Sequence, residues 1–210
     1  MPRRRDQAAR RQELLAAAVA VINERGPAGV RMKDVARQAD LATGSVYYYY
    51  DDVDELLHQV HLLASERYLA DRRTATAALD DPRARLAVMV DLGLPRPADE
   101  PLSLALYQVA VAKARDPRHA AFMTELCGSQ RELYEEILTE GEQAGVFDLT
   151  ASARTIAESL IALEDGFGLG ICCGKDGFTY ELCRDQLLAA AAGWTRCADL
   201  ADLADRAGLA

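Results

Sequence analysis

No stretch of about 18 consecutive apolar residues occurs in this 210-residue chain, so no membrane-spanning helix is expected. The basic start, Met1 to Arg11, lacks the apolar segment that a signal peptide places next, and a secretory leader is not expected either. Proline (7) and glycine (14) are scarce, and Ala, Leu, Glu, Asp and Arg dominate, a composition that favours helix. No convincing strand-like alternation and no internal repeat is found. The five cysteines, Cys127, Cys172, Cys173, Cys183 and Cys197, are odd in number and confined to the second half, so they do not form a disulfide framework. Reduced thiols in the cytoplasm are the expectation. Adjacent Cys172 and Cys173 would point about 100° apart on a helix and are poorly placed to share one metal. With three histidines and no recognisable Ser–His–Asp or paired-carboxylate set, catalysis has little to work with. No cofactor and no metal is expected.

What is present is unevenly charged. Residues 1–50 carry nine basic and five acidic side chains, a net +4. The remaining 15 basic and 28 acidic residues leave –13 on 51–210. A basic segment on an acidic body points to the N-terminal part alone meeting a polyanion.

The apolar periodicity is helical throughout, giving an all-α chain of about nine helices. Leu14, Leu15, Ala18, Val19 and Ile22 form one stripe over 7–25, stopped by Gly26-Pro27. A short helix is predicted from Met32 to Ala39, with Asp40 at a left-handed cap, and another from Thr43 to Tyr49, with Val46 and Tyr50 turned inward. Asp52-x-x-Glu55 has the form of a capping box and opens a long helix with Val53, Leu56, Leu57, Val60, Leu63, Ala64 and Tyr68 as its stripe. Pro82, Pro101 and Pro117 can each start a helix. The pattern then predicts helices over 117–144, from a Thr150 or Ser152 cap to Cys172, and over 179–205.

Two short helices joined by a tight turn and braced by a first one form a helix-turn-helix unit. Val35, Ala36, Ala39, Leu41 and Val46 would lock it, leaving Thr43, Gly44, Ser45, Tyr47, Tyr48 and Tyr49 on the outer face of the third helix. Small residues at its start allow close approach to a major groove, and tyrosine can bond phosphate and touch thymine methyls. Consecutive helical positions diverge by about 100°, so Tyr47 to Tyr50 cannot all be core.

The segment Gly26 to Leu57, GPAGVRMKDVARQADLATGSVYYYYDDVDELL, resembles the DNA-binding part of the TetR family of transcriptional regulators. Spacing and residue types agree together over about 50 N-terminal residues. The resemblance implies a helix-turn-helix domain over 1–52 and a ligand-binding and dimerisation domain over 53–210. It implies that Arg31, Met32 and Lys33 meet phosphates and that Thr43, Gly44, Ser45, Tyr47, Tyr48 and Tyr49 line the recognition helix. Three departures stand out. Ala42 replaces the family's capping Ser, so Thr43 is expected to cap instead. Val53 replaces a phosphate-binding Lys, amid Asp51, Asp52 and Asp54, with Arg3, Arg4, Arg5, Arg10 and Arg11 to supply the missing charge. Tyr50 replaces a Phe.

The resemblance further implies a homodimer built on the last two helices, with Ala162, Gly166, Gly170, Leu187, Leu188, Ala191, Ala192 and Trp194 as candidates. Two-fold symmetry also meets a need, because one short helix reads too few bases. It also implies a pocket for an unknown small-molecule effector, with Met89, Tyr107, Val111, Phe122, Met123, Leu126, Tyr134 and Glu164 as candidates. Glu164 is the unusual one, a carboxylate among apolar neighbours, expected to pair with Arg131, Lys113 or a cationic ligand. Gly166-x-Gly168-x-Gly170 follows a helical pattern and reads as a packing ridge, not a phosphate loop. His58 and His61, three apart, read as solvated in the absence of a third ligand. The reading is a ligand-responsive regulator, most simply a repressor released from a palindromic double-stranded operator. Two alternatives stay open: a helical ligand-binding or scaffold protein without DNA binding, and an all-α enzyme.

Overall fold

The computed structural model describes residues 2–96 and 101–206, with side chains over 7–96 and 101–204. Among these residues it is all-helical: α1 (Pro2–Arg25), α2 (Met32–Gln38), α3 (Thr43–Tyr47), α4 (Val53–Ala77), α5 (Pro82–Asp91), α6 (Pro101–Ala112), α7 (Pro117–Gln143), α8 (Ala153–Cys172), α9 (Tyr180–Thr195) and α10 (Leu200–Arg206). The chain forms two compact units, residues 1–66 with 97–120, and residues 67–96 with 121–210. The division expected by function was a single cut after residue 52. The division by compactness keeps the start of α4 with the first unit and returns α6 to it.

In the first unit the α1 stripe is buried as the period requires, with Leu14, Ala18 and Ile22 fully enclosed. Gly26 stops α1 at φ 70°, a conformation that only glycine adopts without strain, and its N–H bonds the Ile22 carbonyl at 2.7 Å. Met32, Val35 and Ala36 turn inward from α2, Val46 from α3, and Leu56, Leu57 and Val60 from α4. Ala105 and Val109 of α6 complete this core. Asp52 caps α4 by accepting from the Glu55 N–H at 2.7 Å, half of the expected box.

In the second unit Leu86, Met89 and Val90 of α5, Tyr134, Ile137 and Leu138 of α7, Ile156 and Leu160 of α8, and Leu187, Leu188 and Ala191 of α9 share one core. Ser152 and Thr179 cap α8 and α9 through their side-chain oxygens. The single helix expected over 179–205 is two. Arg196 caps α9 at φ 52°, and the carbonyls of Trp194 and Thr195 accept from the backbone N–H groups of Thr150 and Asp148. Those bonds to the loop before α8 take over carbonyls that a continuing helix would use.

His61 and His119 meet inside the first unit, Nδ1 to Nδ1 at 3.2 Å. His61 is therefore not a solvated residue. Burial, then the neighbouring His119 and His58, push its pKa down to about 3, and burial lowers that of His119 as well. No group of three His, Cys, Asp or Glu that could hold a metal ion occurs among the described residues. The unfolded chain binds a proton at each of these positions near pH 6.5, where the folded chain does not, so stability falls as pH drops from 6.5 toward 3. The expected slope is up to about 1.4 kcal/mol per pH unit for one histidine. Asp165, raised to about 6 by burial and by Glu164, acts with the opposite sign. The readout is therefore the difference in urea midpoint between the wild type and His61→Gln across pH 7.5 to 5, which should widen as the pH rises.

Candidate nucleic-acid interface and interior polar site

α3 is held by one side and free on the other. Val46 is fully buried, and Tyr50, just beyond the helix, is 3% exposed with its hydroxyl donating to the Arg11 carbonyl at 3.4 Å. Tyr47 and Tyr48 are 53% and 71% exposed. The Tyr48 hydroxyl accepts from Gln7 of α1 at 3.5 Å, and its ring meets that of half-buried Tyr49 edge-on at 5.0 Å. Thr43 and Gly44 are exposed and Ser45 is half-buried. A Cβ built on Gly44 would meet nothing within 4 Å, so the start of α3 is open.

The turn beneath is set by Asp40 at φ 54°, with the Leu41 N–H bonding the Ala36 carbonyl at 2.8 Å. Asp34, nearly buried on α2, binds Arg25 of α1 at 3.1 Å and Arg37 at 2.5 Å, fixing α2 to α1. Lys33 is exposed. Arg31 is exposed too, but its guanidinium donates to the carbonyls of Ala28 and Val30. Met32 does not meet the expectation of a phosphate contact: its side chain is in the core, 3% exposed, because it opens the buried face of α2. Arg10 pairs with Glu13 at 2.5 Å and Arg11 stands 5.8 Å over the Tyr50 ring. The side chains of Arg3, Arg4 and Arg5 lie outside the described residues.

In the second unit Tyr134 and Glu164, both expected in an effector pocket, do come together, and they are fully buried. Sequence reasoning missed their partner. Arg72 of α4, also fully buried, donates from Nη2 to Glu164 Oε1 at 2.5 Å and to the Met89 carbonyl at 2.8 Å. The hydroxyl of Tyr134 donates to Glu164 Oε1, and that of Tyr68 to Oε2 at 3.3 Å. Gln130 in turn donates to the Tyr68 oxygen at 2.9 Å. Burial works against the Arg72 charge, but the adjacent carboxylate more than offsets it and raises the guanidinium pKa. Burial and Glu164 together push the Tyr134 phenol well above 10. The anticipated partners of Glu164 are engaged elsewhere: Arg131 with Glu135 at 3.8 Å, and Lys113 with Asp54 in the first unit.

Of the other effector candidates, Met89 and Leu126 are buried in the second unit and Phe122 is half-buried. Tyr107 and Val111 belong to the first unit, where Val111 is exposed. Met123 lines a groove of about 500 Å³ with Cys127 and Arg131 of α7 and Glu158, Ile161, Ala162 and Asp165 of α8.

The sequence profile of the bacterial regulatory proteins, tetR family, matches residues 14–60. The HTH-type transcriptional regulator BetI of Burkholderia thailandensis is 32% identical over 163 residues, spanning 76% of this chain and 80% of the relative. BetI of Burkholderia mallei is 31% identical over 193 residues, 86% of this chain and 94% of the relative. The chain belongs to the TetR family. Among solved structures, a putative TetR-family regulator from Rhodococcus shares the fold, with a TM-score of 0.77, 22% identity and coverage of 89% and 99%. A putative transcriptional regulator from Saccharomonospora viridis in complex with choline has a TM-score of 0.73 at 25% identity, covering 86% and 94%.

The TetR match runs from the buried part of α1 to the second turn of α4, the segment that builds and braces α3. Two departures from the TetR pattern have clear structural outcomes. Ala42, not Thr43, is the N-cap of α3, and no side chain caps it, because Thr43 is already helical. Val53 is half-buried against the first unit's core, and two of the acids that follow it are engaged: Lys113 bonds Asp54 and Arg118 bonds Glu55.

The dimer candidates also divide. Ala162 and Gly166 are exposed on α8, and Trp194 and Ala192 are half-buried. Leu187, Leu188 and Ala191 are instead core residues of their own subunit, since they fall on the inner face of α9. Gly170 is buried as well: a Cβ there would come within 2.0 Å of the Phe178 ring. Gly170→Ala should therefore lower stability by about 1–3 kcal/mol through overpacking inside one subunit. Urea unfolding measures it, and a matching loss is expected at every protein concentration.

Proposed function

We propose that this TetR-family regulator is a repressor that binds a palindromic operator as a homodimer and leaves it when a small molecule enters the second unit. The observation that carries the reading is the pair Tyr47 and Tyr48, exposed on a helix whose opposite side is clamped into the core. An aromatic pair held rigidly on an open helix start suits a major groove, with the hydroxyls reaching phosphate or base edges. Lys33, Thr43, Gly44, Ser45 and half-buried Tyr49 extend that face, and Arg31 meets phosphate once it lets go of the two carbonyls it now bonds. Two such helices one DNA turn apart read a palindrome.

The dimer in this proposal uses the outer faces of α8 and α9, where Ala162, Gly166 and Gly193 are exposed beside the apolar Leu169 and Leu182. The effector acts through the polar site of Glu164, Arg72, Tyr68 and Tyr134. The role is binding rather than catalysis, carried out in the cytoplasm where the chromosome is. A difference in effector affinity of about 1–3 kcal/mol between two arrangements of the dimer gives a 5- to 150-fold effect on operator binding.

Mobility shift of duplexes from the region flanking the gene tests the proposal. One duplex should be retained, and log affinity should fall with log salt by about 0.9 per phosphate contact. Equal retention of every duplex, or of none, would overturn it.

A further inference from the structure

The interior site of the second unit has the chemistry of a receptor for a cation. Two phenol rings and a carboxylate face a common centre, an arrangement that attracts ammonium groups through ring quadrupoles and charge. The centre is filled from within. The Arg72 guanidinium carbon stands 4.4 Å over the Tyr68 ring and 5.5 Å over the Tyr134 ring, with Nη2 on Glu164 at 2.5 Å. Gly93 closes one wall: a Cβ there would lie 2.0 Å from Glu164 Oε1 and 2.6 Å from Arg72 Nη2. Arg72 satisfies this cage better than the cage satisfies Arg72. Its Nε and Nη1 are buried without a hydrogen-bond partner. Close packing and full hydrogen bonding are the usual conditions for burying an arginine purely for structure, and only the first is met here.

We propose that Arg72 is an internal ligand: it occupies a cation cage made by Tyr68, Tyr134 and Glu164, and so determines that the effector site rejects ammonium compounds. This rests on the reading of the second unit as the effector unit. The alkyl-ammonium group has the charge and the ring-facing methyl surface that the cage would accept, and it is barred because the protein's own cation competes from within the same chain at high effective concentration. Shortening residue 72 vacates the place and converts the regulator into a receptor for small organic cations.

Thermal unfolding of the full-length protein with choline or tetramethylammonium chloride, against sodium chloride at equal ionic strength, tests the proposal. The wild type should show no shift at 10 mM, while Arg72→Ala should gain about 5–10 °C once a cation reaches about 100 times its Kd. Methylguanidinium, the missing group itself, should do the same. Should Arg72→Ala fail to fold with its carboxylate unpaired, Arg72→Ala/Glu164→Gln leaves no charge in the cage. That double variant should respond to tetramethylammonium where Glu164→Gln alone does not. A folded Arg72 variant that ignores all three cations overturns the proposal. So does a wild type that choline stabilises and that loses the response on Tyr134→Phe. Operator binding of the same variant is read separately by anisotropy. Cation binding that leaves operator affinity unchanged would contradict the effector reading of this unit and leave the cage standing.

Discussion

Replacing Tyr47 and Tyr48 together with alanine is expected to weaken operator binding by about 100-fold, at two contacts of about 1–3 kcal/mol each that do not add fully. Both rings are more than half exposed. Their removal uncovers no core and should leave thermal stability within about 0.5 kcal/mol of the wild type. The fourth member of the run provides the contrast. Tyr50 is buried and bonded to the Arg11 carbonyl, so Tyr50→Ala should lose stability first and binding only as a consequence. Fluorescence anisotropy with a labelled duplex, alongside thermal unfolding, separates the two behaviours. If the double variant bound as tightly as the wild type, the assigned face of α3 would be wrong.

Glu164→Leu is expected to have the largest effect on stability. It strands a fully buried guanidinium that keeps only the Met89 carbonyl and the faces of the Tyr68 and Tyr134 rings. Breaking a buried ion pair by removing one side typically costs about 3–5 kcal/mol, because the remaining charge stays desolvated. For a chain of this size that corresponds to a fall of about 6–20 °C in Tm. Glu164→Gln, which keeps an acceptor oxygen, should lose less. Removing both charges, as in Arg72→Leu/Glu164→Leu, should recover most of the loss. If the double variant fell by the sum of the two single losses, the cost would lie in packing and not in the unpaired charge.

Much of the helix-turn-helix part of the first unit was legible in the sequence, whereas the buried Met32, the His61–His119 pair and the place of α6 were not. The α1 stripe, the Gly26 stop, the left-handed Asp40 and the inward Val46 and Tyr50 are all local consequences of a 3.6-residue period and of a few residues with special backbone freedom. The second unit was legible as helices but not as contacts. Leu187, Leu188 and Ala191 look like any apolar face until the fold shows that their own subunit covers them. The break at Arg196 carries no glycine or proline, because the bonds that impose it come from Asp148 and Thr150, far away in sequence.

Arg72 was missed although a signal existed. Val60, Ala64 and Tyr68 follow one another at four-residue steps on α4, and the next two steps are Arg72 and Thr76, both buried. A polar residue that continues an apolar stripe is a candidate for a buried network. The same stepping from Leu57 reaches His61 and Ser65, which are buried too. The partner of His61 lies 58 residues away on α7, beyond the reach of any periodicity.

The central claim is that the exposed side of α3 enters duplex DNA twice in one complex. Hydroxyl-radical footprinting of a retained duplex tests it most directly. Two protected patches centred about one helical turn apart are expected, related by two-fold symmetry and lost in Tyr47→Ala/Tyr48→Ala. A single patch, uniform protection along the duplex, or an unchanged footprint in that variant would contradict the account.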